Sequence, residues 1–292
     1  MKKLILFISV FYTSLAFSQT NEVITVDNAD EFVNAIGSNK TIQLKGTTIY
    51  TSELSPSKKG TYYYMEETYE GSGLFQLIIT GVSNLKIIGQ GVKQVEIIAK
   101  PEQGNVITFL NSNNVHLENL DIGHGPNKGA CNGGVVYVSS CKNFSIEKCI
   151  MFGSGTVGLT GHSVENLNCK NSIIRGCSVS IMDIVNCNDA KFENCEFTEN
   201  ETEWGNLFTI SNCIGVKFSS CNITKNLTKI LEGYEDWMKK SVFEITKSMN
   251  IILSKCSIKH NASDYLCNKP NAFELEGTTM ENNEFRWGNF KE

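Results

Sequence analysis

Six side chains in the middle of the chain are of the types that move protons or neutralise anions. They are His124, Lys128, Tyr137, His162, Arg175 and Asp183. A base such as His, Lys, Arg or Tyr can take a proton from a carbon next to a carboxylate, while a cation neutralises that carboxylate. We therefore predict a catalytic group if these side chains lie together. A single Asp or Tyr on a solvent-facing strand is usually only solvated, so the prediction depends on their proximity.

A glycine-rich segment, Gly123–Gly134, contains two of these residues, His124 and Lys128, and also Cys131. Glycine lets a backbone approach a ligand closely, and a histidine can act as acid or base near neutral pH. The alternative is that the glycines only turn a corner and that His124 lies on the surface without a role.

A repeated apolar pattern determines how these residues are placed. Its clearest copy, Phe144–Met151, reads apolar, any, apolar, two residues, Cys or Ser, any, apolar. The other copies begin at Val115, Leu167, Ala190, Val216 and Ile251. A residue that tolerates a left-handed backbone stands before each copy, namely Asn114, Asn143, Asn166, Asp189, Gly215 or Asn250. The pattern predicts a turn at the same place in every unit.

A second short strand is predicted before each of these turns. The six segments are Val106–Phe109, Val135–Val138, Ile181–Ile184, Leu207–Ile210, Val242–Ile245 and Ala272–Leu275. Their third residue is often polar between apolar neighbours, which is typical of a strand with one face in a core and one in water. The predicted outward row is Tyr137, Thr160, Asp183, Thr209, Glu244 and Glu274. His162 follows two residues after Thr160, and Arg175 is predicted in the turn before the coil of Asp183. The six site residues should then gather within three neighbouring coils.

The length of the repeat indicates the architecture. Successive units measure 29, 23, 23, 26 and 35 residues, and the shortest matches one circuit of a three-stranded solenoid. Stacked coils let short strands pair every backbone group with the coils above and below. A propeller blade needs roughly 40 residues and four antiparallel strands, and the Leu spacing and helical segment of a leucine-rich repeat are missing. The sequence therefore predicts an all-β parallel β-helix.

The chain resembles the right-handed parallel β-helix proteins of the pectin-lyase-like superfamily over about residues 23 to 290. The repeated asparagine turns, the Asn- and Cys-rich coils and the opening segment Val26–Ile36 carry this resemblance. Asp27 or Asn28 can cap a helix in that segment. Its apolar residues, which share one helical face, are Ala29, Phe32, Val33 and Ile36. The resemblance implies a right-handed β-helix whose short N-terminal helix caps the first coil.

The superfamily contains polysaccharide lyases, hydrolases, epimerases and non-catalytic adhesins, so its fold does not give a function. The resemblance implies a protein that acts on or binds extracellular polysaccharide. Together with the six site residues, it favours a uronate polysaccharide lyase, and the alternative is a non-catalytic surface or matrix-binding scaffold. A hydrolase is less favoured. Gly123-His124-Gly125 matches an element of polygalacturonase-like hydrolases, but their paired aspartates are absent, which leaves Asp183 and Glu244 as the available carboxylates.

The start of the chain has the pattern of a signal peptide. A basic start, Met1–Lys3, precedes the mostly apolar Leu4–Phe17 and a cleavage site of the form Ala16-Phe17-Ser18. A membrane anchor is the alternative, but the apolar run is shorter than the ~20 residues that span a bilayer. We predict a signal peptide at residues 1–18, a single β-helix domain at 19–292, a secreted or periplasmic location and no integral membrane segment.

The net charge limits the classes of binding partner, and the cysteine spacing indicates whether the thiols form disulfides. A formal net charge of −5 argues against a nucleic-acid partner, which would need a basic stripe. Disulfides are usual in exported proteins, yet two groups of cysteines recur at fixed positions of the repeat. They are Cys149, Cys195, Cys221 and Cys256, and Cys141, Cys187 and Cys213. Side chains stacked in parallel have poor torsion for a disulfide, so we predict buried free thiols. No zinc-binding spacing is present. The sequence identifies no metal-binding or cofactor-binding residues, and it leaves the cofactor and the metal dependence open.

Overall fold

The repeat forms a solenoid. The computed structural model describes residues 21–46, 48–100, 104–125, 133–229 and 239–290. These residues wind into an all-β, right-handed parallel β-helix of about seven turns, which confirms the predicted fold class. The predicted signal peptide at residues 1–18 lies outside the described residues.

Three long sheets run along the solenoid, one on each side. Sheet A contains Glu22–Val26, Lys40–Lys45, Ser83–Gln90, Asn113–Glu118, Lys142–Glu147, Glu165–Lys170, Lys191–Glu193, Ile214–Ser219, Met249–Ser254 and Glu274–Glu276. Sheet B contains Ile49–Tyr50, Val95–Ala99, Leu120–His124, Ile150–Phe152, Ile173–Arg175, Glu196–Thr198, Asn222–Thr224, Ser257–Lys259 and Thr279–Glu281.

The chain then continues to the third side. Sheet C contains Tyr63–Glu67, Phe75–Thr80, Ile107–Leu110, Val136–Ser139, Val157–His162, Ser180–Val185, Phe208–Ser211, Ser241–Thr246 and Tyr265–Cys267. Its first two strands are antiparallel to each other. A small sheet D lies between sheets B and C in the later coils and contains Glu201–Thr202, Leu227–Thr228, Ala262–Ser263 and Glu284–Phe285.

The corners depend on residues that adopt a left-handed backbone. All six predicted turn residues have positive φ: Asn114, Asn143, Asn166, Asp189, Gly215 and Asn250. Asparagine adopts this conformation more readily than most residues because its short side chain bonds locally. Several of these amides also bond from coil to coil. For example, Asn114 Nδ2 donates to Asn84 Oδ1 at 2.7 Å, and Asn84 Nδ2 donates to Asn39 Oδ1 at 2.8 Å. The turn prediction is confirmed.

The interior contains stacked aromatic rings and a row of buried amides. The rings of Phe192 and Phe218, on neighbouring strands of sheet A, stack with centroids 4.9 Å apart. At the corner after sheet B, Asn200 Nδ2 donates to Asn226 Oδ1 at 2.9 Å, and Asn226 Nδ2 donates to Asn261 Oδ1 at 2.9 Å. Because each buried amide has partners in the neighbouring coils, the polar row is satisfied inside an apolar core.

The cysteines in the described part of the chain are buried and unbridged. They are Cys141, Cys149, Cys169, Cys177, Cys187, Cys195, Cys213, Cys221, Cys256 and Cys267. Several of their thiols bond the backbone of the adjacent coil: Cys187 N donates to Cys213 Sγ at 3.4 Å, and Val164 N donates to Cys187 Sγ at 3.3 Å. Burial raises the pKa of the Cys149 thiol to about 12. Cys131 lies outside the described residues.

The predicted N-terminal helix is present at Ala29–Ala35, and the Asn28 side chain accepts a hydrogen bond from Glu31 N. Phe32 and Val33 of this helix are fully buried. Its role as a cap of the first coil stays a prediction. A short 3₁₀ helix spans Thr51–Glu53. Within the described residues, no helix is both long and apolar enough to cross a membrane.

One strand prediction is wrong. The segment Ala272–Leu275 does not extend sheet C, because Glu274–Glu276 pairs with Met249–Ser254 in sheet A. The strand that continues sheet C is Tyr265–Cys267.

Candidate functional site on the outer face of sheet B

Three of the predicted site residues share the outer face of sheet C. Tyr137 pairs with Thr160, and Thr160 pairs with Asp183. Thr209 and Glu244 continue the same row, as predicted, whereas Glu274 belongs to sheet A. His162 lies in the adjacent row of the same face, where it pairs with Ser139 and Val185.

The carboxylate of Asp183 is already occupied within this face. Ser180 Oγ donates to Asp183 Oδ1 at 2.7 Å, and the Thr209 hydroxyl also bonds the carboxylate. Burial raises the pKa of Asp183, and these two hydrogen bonds oppose that effect. A carboxylate with two local donors is satisfied without a ligand, so its position favours a structural contribution.

His124 lies under the surface rather than in a groove. His124 is the last residue of the sheet B strand Leu120–His124, and it is only 2% exposed. Nδ1 lies 3.0 Å from the Lys100 carbonyl oxygen and Nε2 lies 3.1 Å from the Gly134 carbonyl oxygen. Both ring nitrogens therefore face the backbone, and the ring is not placed to contact a polymer in solvent. The prediction that His124 lines an open groove is wrong.

Arg175 belongs to a different face from Tyr137, His162 and Asp183. It is the last residue of the sheet B strand Ile173–Arg175, not part of a turn, and it is exposed. Lys128 lies outside the described residues. The structure thus brings together three of the predicted residues on sheet C, and it places Arg175 with other residues on sheet B. The expectation of one groove for all the predicted residues is wrong.

The outer face of sheet B carries an acidic pair that the sequence analysis did not single out. Glu96 and Asp121 are register partners on adjacent strands. Both alternate with fully buried apolar residues, so their side chains point outward. Neighbouring parallel strands lie about 4.8 Å apart, which places the two carboxyl groups side by side.

A cavity of about 770 Å³ opens over this pair. It is lined by Gly46, Thr48, Gln90, Gly91, Val92, Lys93, Gln94, Val95, Glu96 and Asp121. Hydrogen bonds to neighbouring coils hold the wall formed by residues 90–94. Asn119 Nδ2 donates to the Gly91 carbonyl oxygen at 3.3 Å, and Gln94 Nε2 donates to the Lys148 carbonyl oxygen at 2.9 Å. The wall is therefore tied to the body of the solenoid.

The two carboxylates of the cavity differ in their partners. Glu96 Oε2 accepts a hydrogen bond from Thr48 Oγ1 at 2.7 Å. Asp121 Oδ1 is buried and has no hydrogen-bond partner among the described residues. Burial raises the pKa of Asp121, the negative charge of Glu96 raises it further, and Arg175 lowers it. A buried oxygen without a partner is costly in a folded protein and commonly marks a site that a ligand or water completes.

Arg175 and two aromatic side chains extend the face beside the acidic pair. The Arg175 guanidinium carbon lies 5.4 Å from the centroid of the Phe152 ring, its register partner. Gly123 allows this arrangement, because a Cβ there would come within 2.6 Å of the Phe152 ring. Tyr50 is 42% exposed in the same row of outward positions. The face therefore combines acidic, cationic and aromatic side chains.

The described residues contain no group of three His, Cys, Asp or Glu side chains placed to hold a metal ion. The chemistry that this face can perform with its own groups is proton transfer between Asp121, Glu96 and a bound molecule, with Arg175 as an anion partner.

The sequence contains a pattern that indicates the outward position of both Glu96 and Asp121. Both Val95-Glu96-Ile97 and Leu120-Asp121-Ile122 place an acidic residue between two apolar ones, which is the pattern of an outward position on a strand. The two segments fall in coils of different length, and Glu96 precedes the clear copies of the repeat. Their pairing became visible only when the register was known.

No family model matches the chain, and no curated protein matches its sequence. Solved structures do match its fold. An alginate lyase from Paenibacillus sp. str. FPU-7 is similar with a TM-score of 0.55 at 9% identity, over 92% of this chain and 97% of that chain. A pectate lyase from Paenibacillus sp. 0602 is similar with a TM-score of 0.51 at 10% identity, over 91% of this chain and 78% of that chain.

A third similar structure is ORF18 of Geobacillus virus E2, with a TM-score of 0.51 at 13% identity, over 90% of this chain and 55% of that chain. At these identities the likeness is one of fold. It confirms the predicted resemblance to pectin-lyase-like β-helix proteins.

Proposed function

We propose that this solenoid is an exported protein that binds a polysaccharide along the outer face of sheet B and cleaves it with Asp121. One observation carries the proposal. A carboxylate oxygen of Asp121 is buried without a hydrogen-bond partner among the described residues, and Asp121 lines the cavity beside Glu96. The similar solved structures described as an alginate lyase and a pectate lyase support a polysaccharide as the bound molecule.

Cleavage by hydrolysis fits the acidic pair best. A glycosidic bond is hydrolysed by two carboxyl groups, of which one has a raised pKa and protonates the leaving oxygen. Asp121 has the raised pKa, because of burial and the charge of Glu96. Glu96, held by Thr48, then acts on the anomeric carbon or on a water molecule. Hydrolysis is proposed here from the geometry, although the sequence alone favoured it less than a lyase.

The rest of the face suits a sugar polymer. Tyr50 and Phe152 offer ring surfaces on which the apolar side of a sugar can stack. The polar side chains of Gln90, Lys93 and Gln94 line the cavity and can bond sugar hydroxyls.

A uronate lyase is the second candidate, and Arg175 is the observation that favours it. Arg175 is exposed on the same face and is close enough to Asp121 to lower its pKa. Its guanidinium can neutralise the carboxylate of a uronic acid. Asp121, whose raised pKa makes it a stronger base, would then take the proton next to that carboxylate.

One experiment separates the candidates. The purified protein is incubated with neutral and with uronic-acid polysaccharides, and both new reducing ends and ultraviolet absorbance of unsaturated products are measured. Reducing ends without absorbance indicate hydrolysis, and both signals together indicate a lyase. Binding without either signal leaves the non-catalytic scaffold. Asp121→Asn should abolish turnover, while the matched variant Asp183→Asn on sheet C should retain it. Absence of both binding and turnover on all polymers would overturn the proposal.

A further inference from the structure

Sheet A carries a second group of reactive side chains, on a different face of the solenoid from the acidic pair of sheet B. His116 and Ser145 are register partners on adjacent strands, and Glu118 follows two residues after His116 on the same outer face. His116 Nδ1 lies 2.8 Å from Ser145 Oγ, and His116 Nε2 lies 3.3 Å from Glu118 Oε2. One imidazole thus connects a hydroxyl to a carboxylate.

From this geometry we propose that Ser145, His116 and Glu118 form a serine esterase site. A serine becomes a nucleophile when a histidine accepts its proton and a carboxylate orients that histidine. These roles are recognised by geometry, not by order in the chain, and here they come from two neighbouring coils.

The carboxylate decides how the imidazole is oriented. Glu118 Oε1 forms an ion pair with Lys148 at 3.0 Å, which leaves Oε2 for His116. The hydrogen bond from Lys148 is the largest cause that lowers the pKa of Glu118. In a neutral imidazole, the nitrogen facing this carboxylate carries the N–H. Nδ1 is then an acceptor, and the Ser145 hydroxyl must donate to it. A competing acceptor for this hydroxyl, the Val115 carbonyl oxygen, is farther away at 3.3 Å.

The surroundings indicate the class of substrate. Lys86, the register partner of His116 on the side opposite to Ser145, is exposed and lines a shallow depression of about 390 Å³. Its other lining residues are the polar Asn21, Thr41, Asn84 and Asn114. A shallow polar depression suits a hydroxyl-rich alcohol rather than a long acyl chain. The substrate class is therefore a small O-acyl ester of a polyhydroxylated alcohol, whose hydroxyl groups the depression beside His116 can bind.

The reaction consumes only water. Ser145 Oγ bonds the ester carbon, its proton passes to His116, and the C–O bond to the alcohol breaks as that proton reaches the leaving oxygen. Water then attacks the acyl-serine, again giving its proton to His116, and the Oγ–C bond breaks as the proton returns to Oγ. The products are the free alcohol and the carboxylic acid.

The test uses a fluorophosphonate probe, with 4-nitrophenyl acetate as the kinetic substrate. We expect one phosphonate adduct, on Ser145, by peptide mass spectrometry. Ser145→Ala should remove the adduct, and His116→Gln should slow labelling and ester hydrolysis at least about 100-fold. The matched control is Ser219→Ala, an outward serine of the same sheet whose register partners are Glu193 and Ser254, and it should label like the parent protein.

Glu118 is a positioning residue, since it acts through His116. Glu118→Gln should lower kcat for 4-nitrophenyl acetate about 10-fold or more while KM stays within about twofold. The fraction of the protein that the fluorophosphonate probe labels at completion should stay unchanged, whereas a loss of folded protein would lower it. An unlabelled Ser145 would overturn the proposal. Labelling that is unchanged in His116→Gln, or ester hydrolysis that is unchanged in Ser145→Ala, would do the same. All variants change outward side chains, and their circular dichroism should match that of the parent protein.

Discussion

Asp121 and Asp183 lie on two outer faces of the same solenoid, and burial raises the pKa of both carboxyl groups. They differ in their partners. Asp183 receives hydrogen bonds from Ser180 and Thr209, whereas Asp121 has a buried oxygen without a partner among the described residues and a second carboxylate beside it. A pKa shift alone therefore does not identify a reactive group. The unused hydrogen-bonding capacity of Asp121 is the reason why we propose sheet B as the ligand-binding face.

The largest expected effect tests this difference directly. Asp121→Asn keeps the size of the side chain but removes the transferable proton, so turnover of the polysaccharide should fall by about 100- to 10,000-fold. Initial rates of reducing-end formation measure this, with circular dichroism as the check on folding. Asp183→Asn is the control. If the two variants lose equal activity, the distinction between the two faces is wrong.

The histidines extend the comparison from carboxylates to imidazoles. His124 is buried between two backbone carbonyls, whereas His162 lies on the outer face of sheet C. His124→Ala leaves those carbonyls without the ring, so the free energy of unfolding should decrease by about 1–3 kcal/mol. His162→Ala should change it by less than about 0.5 kcal/mol. Urea unfolding followed by fluorescence measures both. If His124→Ala and His162→Ala have equal free energies of unfolding, the buried ring of His124 does not stabilise the fold.

Asp183 and Asp121 should also differ in how much each stabilises the fold, and this difference should be smaller than that between the histidines. Asp183→Ala removes a carboxylate that accepts two hydrogen bonds, and it should cost about 1–2 kcal/mol near pH 7. Asp121→Ala removes a partly buried carboxylate without that support, so the free energy of unfolding should stay constant or increase slightly. Thermal and urea unfolding of both variants provide the measurement. A larger loss for Asp121→Ala than for Asp183→Ala would contradict the assignment of partners.

The smallest effects concern the pH profile. If Asp121 donates a proton, activity is lost as it ionises, and the alkaline limb of the profile reports its pKa. Arg175→Gln removes a positive charge that lowers this pKa, so the limb should move to higher pH. Glu96→Gln removes a negative charge that raises it but also removes a proposed catalytic group, so the lower pKa of Asp121 is measured in that variant by NMR titration of the Asp121 carboxyl group. Rates of the Arg175 variant and NMR spectra of the Glu96 variant from pH 4 to pH 9, roughly the range in which a perturbed carboxyl titrates, check the two directions. Shifts of the same sign would refute the electrostatic account.

The repeat could be predicted from the sequence because it depends on residues that are close together in the chain. A left-handed residue such as Asn143 or Asn166 and the alternation around Tyr137 or Asp183 depend on near neighbours in the chain. That information predicted the fold, the corners and the outward row of sheet C. It failed for Ala272–Leu275, whose apolar pattern fits either of two sheets.

The tertiary structure decided which outward residues become neighbours and which polar groups are already satisfied. Two outward residues meet only if the loops between them bring their coils into register, and loop lengths vary along this chain. Glu96 therefore meets Asp121, Arg175 lies on a face that His162 does not share, and Ser145 meets His116. Packing between coils also buries the His124 ring and leaves an Asp121 oxygen without a hydrogen-bond partner among the described residues. Alternation within a strand sets whether a side chain points in or out, but the register between strands sets what lies beside it.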